Sequence, residues 1–161
     1  MKPIIVASVI VLAGVASPAF AGCGNSPSTL SQTQVNTILG GNFACGRSTA
    51  ANAPGWNEKH VGASGGALVE QHASPEPVET VGTWASSSSG GVNPVGRVTY
   101  SYGGGNTPVY EVSVVANGNC NLTCTTLPQT YKFCGVAGGA PILDILVTAS
   151  LPTLASCPIN P

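Results

Sequence analysis

Apolar and polar residues alternate along much of the chain, and this period of two is typical of half-buried β-strands. The clearest example is the segment 97–114, RVTYSYGGGNTPVYEVSV, in which Tyr and Val occupy alternate positions before and after a glycine-rich turn. The pattern predicts a β-hairpin that turns over Gly103–Asn106. Its apolar face pairs Tyr with Val across the strands, and such pairs stabilise a sheet by up to about 1 kcal/mol each.

Four further segments have the composition of strands and are separated by Gly, Pro or Ser clusters: GALVEQH (66–72), VETVGTWAS (78–86), QTYKFCGV (129–136) and ILDILVTAS (142–150). Parallel sheets need helices between their strands, and the pattern predicts none here. The sequence therefore predicts a mainly β fold, an antiparallel sheet arranged as a sandwich or barrel-like structure. Because Trp84 lies in an alternating strand, we expect its ring in the core.

A short helix near the N-terminus is also predicted. Apolar residues recur near helical spacing over Leu30–Leu39, Ser31 suits the N-cap position, and the Gly-Gly pair at 40–41 is a typical helix end. The segment 46–55 that follows is small, polar and rich in turn-forming residues. We interpret it as a loop.

Residues 1–21 have the layout of a secretory signal peptide, with one cation, an apolar run and small residues at its end. The run is shorter than the roughly 20 residues that span a bilayer, so no transmembrane segment is predicted. We expect residues 22–161 to form a single soluble domain, exported to the periplasm or the outside of what the leader suggests is a bacterial cell. The stretch FAGC (20–23) leaves one alternative, a lipoprotein anchored through Cys23.

Six cysteines lie beyond this leader: Cys23, Cys45, Cys120, Cys124, Cys134 and Cys157. Exported chains meet an oxidising compartment, so three disulfides are expected, whereas lipidation of Cys23 would leave an odd thiol. Spacing favours Cys124 with Cys134 across a proline-centred turn, Cys23 with Cys45 around the helix, and Cys120 with Cys157 at the tail. Other pairings remain open. A zinc knuckle in CNLTC (120–124) is the alternative, and it would need reduced thiolates.

Charged side chains are few, because residues 22–161 hold four cations and six anions for a formal net charge of −2. Without a basic cluster the protein has no electrostatic means of holding a phosphate backbone, so nucleic acid is excluded as a partner. The polar residues are mainly Ser, Thr, Asn and Gln, a composition we associate with secreted and surface-assembled proteins. This favours a non-enzymatic module, either a structural subunit or a binding domain.

Catalytic motifs are missing from the sequence. No Gly-x-Ser-x-Gly elbow occurs, and the sole aspartate, Asp144, lies in an apolar strand. Glu58 and Glu70 have the residue type of a glycosidase pair, but exposed carboxylates are common in secreted chains. We therefore expect that the protein is not an enzyme.

Both histidines lie in WNEKHVGASGGALVEQH (56–72), each two positions after a glutamate. A hairpin around Gly65 would place Glu58 opposite His72 and His60 opposite Glu70, with all four side chains on one face. Two imidazoles and two carboxylates form an acceptable ligand set for zinc or another divalent ion, which makes a small periplasmic metal-binding protein the alternative function. Cross-strand pairs on the surface need no metal, however, and we favour that interpretation and no cofactor.

The segment 142–147 is apolar at consecutive positions, which predicts a strand buried on both faces. Only Asp144 interrupts the run, and no lysine flanks it to guard an exposed edge. The second layer comes either from the same chain or from a neighbour through strand addition. The sequence thus predicts self-association through an edge strand.

Overall fold

The computed structural model describes residues 29–48, 55–71, 78–115, 125–137 and 142–160. In these ranges the elements are α1 (Gln32–Leu39), β1 (Phe43–Ser48), β2 (Trp56–His60), β3 (Ala67–Glu70), β4 (Glu79–Ser88), β5 (Gly96–Tyr102), β6 (Val109–Val114), β7 (Gln129–Ala137), β8 (Ile142–Thr148) and β9 (Ile159–Asn160). Short 3-10 turns cover Gly103–Gly105 and Leu154–Ser156.

Strands β1 to β8 form a closed antiparallel barrel. Each strand pairs with the next in sequence, and β8 returns to pair with β1. Closure satisfies the backbone groups that an open sheet would leave at its edges. The mainly β, antiparallel, barrel-like fold predicted from the alternating pattern is confirmed, and so is the N-terminal helix.

Helix α1 packs at one end of the barrel, which we call the helix end. Ser31 is the N-cap and forms a reciprocal capping box with Gln34. The buried face of the helix continues the barrel core, and the Gly96 amide donates to the Leu30 carbonyl at 2.7 Å to join strand and helix start. Among the described residues, no helix has the length and apolar character to cross a membrane.

The hairpin predicted over 97–114 is β5 and β6. The four further predicted segments coincide with β3, β4, β7 and β8, although β4 and β7 extend one or two residues beyond the predicted ends. The loop predicted over 46–55 is wrong at its start, because β1 continues to Ser48. Gly46 belongs there because a side chain would meet the ring of Trp56 only 3.0 Å from its Cβ. A close cross-strand neighbour, rather than a turn, accounts for this glycine.

A disulfide joins Cys45 in β1 to Cys157 just before β9, across a sequence separation of 112 residues. The favoured pairings of Cys23 with Cys45 and of Cys120 with Cys157 are therefore wrong. Cys134 is disulfide-bonded as well, but Cys23, Cys120 and Cys124 lie outside the described residues. The Cys45–Cys157 bond is compatible with an oxidising environment.

Strand β9 lies outside the barrel ladder and pairs in parallel with the end of β1. The Asn160 side chain accepts from the Asp144 amide at 2.6 Å and donates to the Asp144 carbonyl at 3.0 Å. One carboxamide thus makes the contacts that a neighbouring strand would make with β8. Strand β8 pairs with β7 on one side and with β1 on the other, so both of its edges are paired within the same chain. The predicted burial of both faces is wrong, because Ile142 on the outer face is 48% exposed.

Candidate functional site

The Glu-x-His hairpin is β2 and β3, but its register differs from the expected one. Glu58 lies opposite Glu70, and His60 lies opposite Leu68. The turn closes with the Val61 amide donating to the Ala67 carbonyl, so its centre is one residue earlier than Gly65. The pairing shifts by two residues, which keeps the same side chains on the same face.

That face points into the barrel. Glu58 is 7% exposed and His60 is fully buried. The interpretation of these residues as surface pairs is therefore wrong, because the alternation in β2 turns its polar residues inward, where tyrosines from other strands bind them. His72 lies outside the described residues.

His60 is enclosed by aromatic rings near the helix end. Its Nε2 is 3.0 Å from the Tyr100 hydroxyl, and its ring meets Trp84 edge-on with centroids 5.1 Å apart. Within the described structure its Nδ1 has no hydrogen-bond partner. Burial lowers the pKa of His60 to about 3, so the imidazole is neutral in the folded protein. The predicted core position of Trp84 is confirmed.

Glu58 lies further from the helix. The Tyr102 hydroxyl donates to Glu58 Oε2 at 3.2 Å. Burial raises the pKa of Glu58 to about 7, the Tyr102 hydrogen bond opposes this rise, and the negative charge of Glu70 adds to it. Near neutral pH the carboxyl therefore exchanges between its neutral and charged forms, which is a property found often at functional sites.

A cavity of about 230 Å³ occupies the half of the barrel away from the helix. Seven of its lining side chains are aromatic or aliphatic, and Glu58 is the one carboxylate: the lining is Trp56, Glu58, Tyr100, Tyr102, Tyr110, Phe133, Leu143 and Ile145. They come from five strands at alternating positions, as the period of two requires. We call this cavity the chamber; its wall is mainly apolar and carries the Glu58 carboxyl.

Contacting aromatic rings form a continuous wall of this chamber across β5, β6 and β7. Tyr100 stacks on Tyr102 with centroids 6.0 Å apart and meets Tyr110 edge-on at 6.1 Å, and Tyr110 in turn contacts Phe133 at 5.9 Å. Burial is the main cause that raises the pKa of each of the three tyrosines. Their phenols are therefore neutral hydrogen-bonding groups at physiological pH.

The described cations make their contacts elsewhere. Arg97 pairs with Glu111 at 2.9 Å and Lys132 with Asp144 at 2.7 Å. Both pairs use strand positions that alternate with the inward-facing ones, so they lie on the outer face. Lys59 lies 5.3 Å from the centre of the Phe43 ring, and Arg47 donates to the Cys157 carbonyl.

The structure brings together two of the four predicted metal ligands. Glu58 and Glu70 are direct cross-strand neighbours, whereas His60 is separated from them in the aromatic cluster. Within the residues that the structure describes, no group of three potential metal-ligating side chains occurs.

Sequence reasoning missed the aromatic chamber. It grouped the tyrosines of the hairpin on one face, but it assigned that face to a packed sheet and had no means of identifying a cavity behind it. No protein-family model, curated protein or solved structure matches the chain.

Proposed function

We propose that the protein is a non-enzymatic binding module that takes a small, largely aromatic or aliphatic molecule into the barrel. The observation that carries this proposal is the chamber of about 230 Å³ with one carboxyl on its wall. Ligand sites are typically concave and apolar, with a small number of polar groups that orient the ligand.

The volume suits a molecule of one or two rings. An engineered protein cavity of about 150 Å³ binds benzene, and the chamber here is larger. Eight-stranded barrels have interiors that side chains nearly fill or that hold one small ligand. Transfer of a ligand from water contributes about 25 cal/mol per Å² of apolar surface buried.

The chemistry of the lining supports binding over catalysis. General acid–base catalysis by two groups needs a proton donor and an acceptor that both reach the substrate. In the described lining, Glu58 is the single carboxyl and the other ionisable groups are tyrosines, including Tyr100 and Tyr102, whose pKa is raised by burial. His60 is directed to Tyr100 and does not line the chamber.

Calorimetric titration with 1-naphthalenemethanol, a neutral two-ring probe, tests the proposal. We expect one binding site per chain. Leu143→Trp places a large ring on the chamber wall and should abolish binding, whereas Val92→Trp adds the same ring at an exposed position and should leave binding unchanged. Thermal unfolding of both variants checks the fold. The proposal fails if the wild type does not bind, or if a folded Leu143→Trp binds as tightly as Val92→Trp.

The second candidate function is metal binding, which the side-by-side placement of Glu58 and Glu70 favours. Elemental analysis of the purified protein and of His60→Ala and His72→Ala separates the two candidates. A stoichiometric metal that is lost in both variants would support metal binding. If a ligand-binding module without metal is correct, the purified protein contains no stoichiometric metal before any chelator is added.

We also propose that the protein is exported, with cleavage near Gly22 and three disulfides. The support is the composition of residues 1–21 and the pairing of Cys45 with Cys157. Intact-mass measurement should give a chain that begins near Gly22, carries no acyl group and contains no free thiol. A mass that includes a diacylglyceryl group on Cys23 would show a lipoprotein instead.

Self-association through an edge strand is a separate proposal, with β9 as the strand outside the barrel ladder. Sedimentation of the oxidised protein tests it. A monomer up to high micromolar concentration, with β8 protected from hydrogen exchange, would contradict it.

A further inference from the structure

We infer that the chamber selects organic cations, in which a protonated amine lies beside Glu58 and its aromatic or aliphatic body lies against the tyrosine wall. This inference rests on the proposed binding function and specifies the ligand class. It makes Glu58 the residue that determines specificity.

The distribution of charge supports a cation over an anion. Glu58 is on the chamber wall, and Glu70 lies directly across from it on the same face of the sheet. None of the four described cations, Arg47, Lys59, Arg97 and Lys132, lines the chamber. An anionic ligand would therefore meet the Glu58 carboxylate on a wall whose described lining holds no cation, whereas a cation would be attracted to that carboxylate.

The aromatic lining supports a cation over a neutral molecule. The faces of aromatic rings carry negative charge density, so cations bind over them, most strongly when water is excluded. Tyr102 both lines the chamber and donates to Glu58, which holds the carboxylate next to the ring. The Glu58 carboxylate and the adjacent aromatic rings thus both favour a positive charge on the ligand next to Glu58.

Binding of a cation should displace a proton. The ionisable groups that shift the pKa of Glu58 are Tyr102 of β5 and Glu70 of β3. The charge of Glu58 in turn raises the pKa of the Tyr100 and Tyr110 phenols. A protonated amine favours the charged carboxylate, so a neutral Glu58 carboxyl releases its proton to the buffer as the ion pair forms. The amine keeps its own proton throughout.

Three probes that share one ring system test the charge preference at pH 8: 1-naphthylmethylamine, 1-naphthalenemethanol and 1-naphthoate. We expect the amine to bind at least tenfold more tightly than the alcohol, and the carboxylate not to bind. In Glu58→Gln the amine and the alcohol should bind within about threefold of each other, with alcohol binding retained as proof of an intact chamber. Glu79→Gln, which removes an exposed carboxylate, should keep the preference.

Proton release provides a measurement that needs no variant. Titration of the wild type with the amine in buffers of different ionisation enthalpy should show nearly one proton released per ligand at pH 6 and almost none at pH 8.5. The alcohol should release none at either pH.

The outcomes separate this inference from the proposed function. Binding of the alcohol with no preference for the amine, or a preference that persists in Glu58→Gln, would overturn the inference and leave the binding function standing. Absence of binding for all three probes would overturn both.

Discussion

Replacement of Glu58 by Gln should remove a decrease in the free energy of unfolding that the wild type undergoes as the pH rises from 4.5 to about 7. The folded-state pKa of Glu58 is raised from 4.5 to about 7, chiefly by burial. The stability associated with the neutral carboxyl is therefore fully present below pH 4.5 and is lost as the pH rises to about 7. A Gln side chain is neutral at every pH, so the variant does not undergo this loss.

The size of the effect follows from the two pKa values. Each pKa unit corresponds to about 1.4 kcal/mol, so a rise from 4.5 to about 7 amounts to roughly 3 kcal/mol. Because Glu58 is 7% exposed, solvent screening reduces this figure little. We expect the free energy of unfolding of Glu58→Gln, relative to the wild type, to increase by roughly 3 kcal/mol between pH 4 and pH 8.

Urea denaturation of both proteins at several pH values between 4 and 8 measures this difference. Equal m-values in the two proteins ensure that the comparison reports stability and not compactness. Glu79→Gln is the control, because Glu79 is exposed and its replacement should not reproduce the increase. A Glu58→Gln difference that stays constant within 1 kcal/mol over this range would refute the placement of a neutral carboxyl inside the barrel.

Three further predictions concern His60 in the core, the Cys45–Cys157 disulfide and the start of the helix. Burial lowers the pKa of His60 from 6.5 to about 3 in the folded state, so the free energy of unfolding of the wild type should decrease by about 5 kcal/mol as the pH drops from 6.5 to 3. Acid titration of His60→Gln should show no such decrease. Joint replacement of Cys45 and Cys157 by Ser removes a link across 112 residues and should lower the free energy of unfolding in denaturant by about 5 kcal/mol; a decrease below about 1 kcal/mol would contradict the entropic argument. Ser31→Ala removes the capping box and should lower the free energy of unfolding by about 1 kcal/mol, measured by thermal melts, with no change expected if the helix start is held by packing alone.

The elements that the sequence predicted correctly are those whose conformation is determined by residues close to them in sequence. The helix has Ser31 at its start and Gly40 at its end, and the hairpin of β5 and β6 has strict alternation around a glycine turn. Strand β1 and the two-residue β9 lack such patterns, and their conformation depends on pairing with distant strands. Alternation alone also leaves a sandwich and a barrel equally possible, because closure depends on how β8 meets β1.

The candidate site could be predicted only in part. Alternation placed Glu58 and Glu70 on one face, and the structure confirms this. The direction of that face was not predictable from β2, because polar residues normally point to water and here they point inward. The compensating groups, the hydroxyls of Tyr100 and Tyr102, lie about forty residues away in sequence.

The pairing of β1 with β8 determines when the barrel can close during synthesis. Phe43 pairs with Thr148, so the partner of β1 leaves the ribosome about ten seconds after β1 itself at typical rates of translation. Contacts between such distant residues form late because the intervening chain must first be ordered. The growing polypeptide therefore holds β1 without its final neighbour for most of its synthesis, and the edge of β1 that later pairs with β8 is open to other strands until the barrel closes.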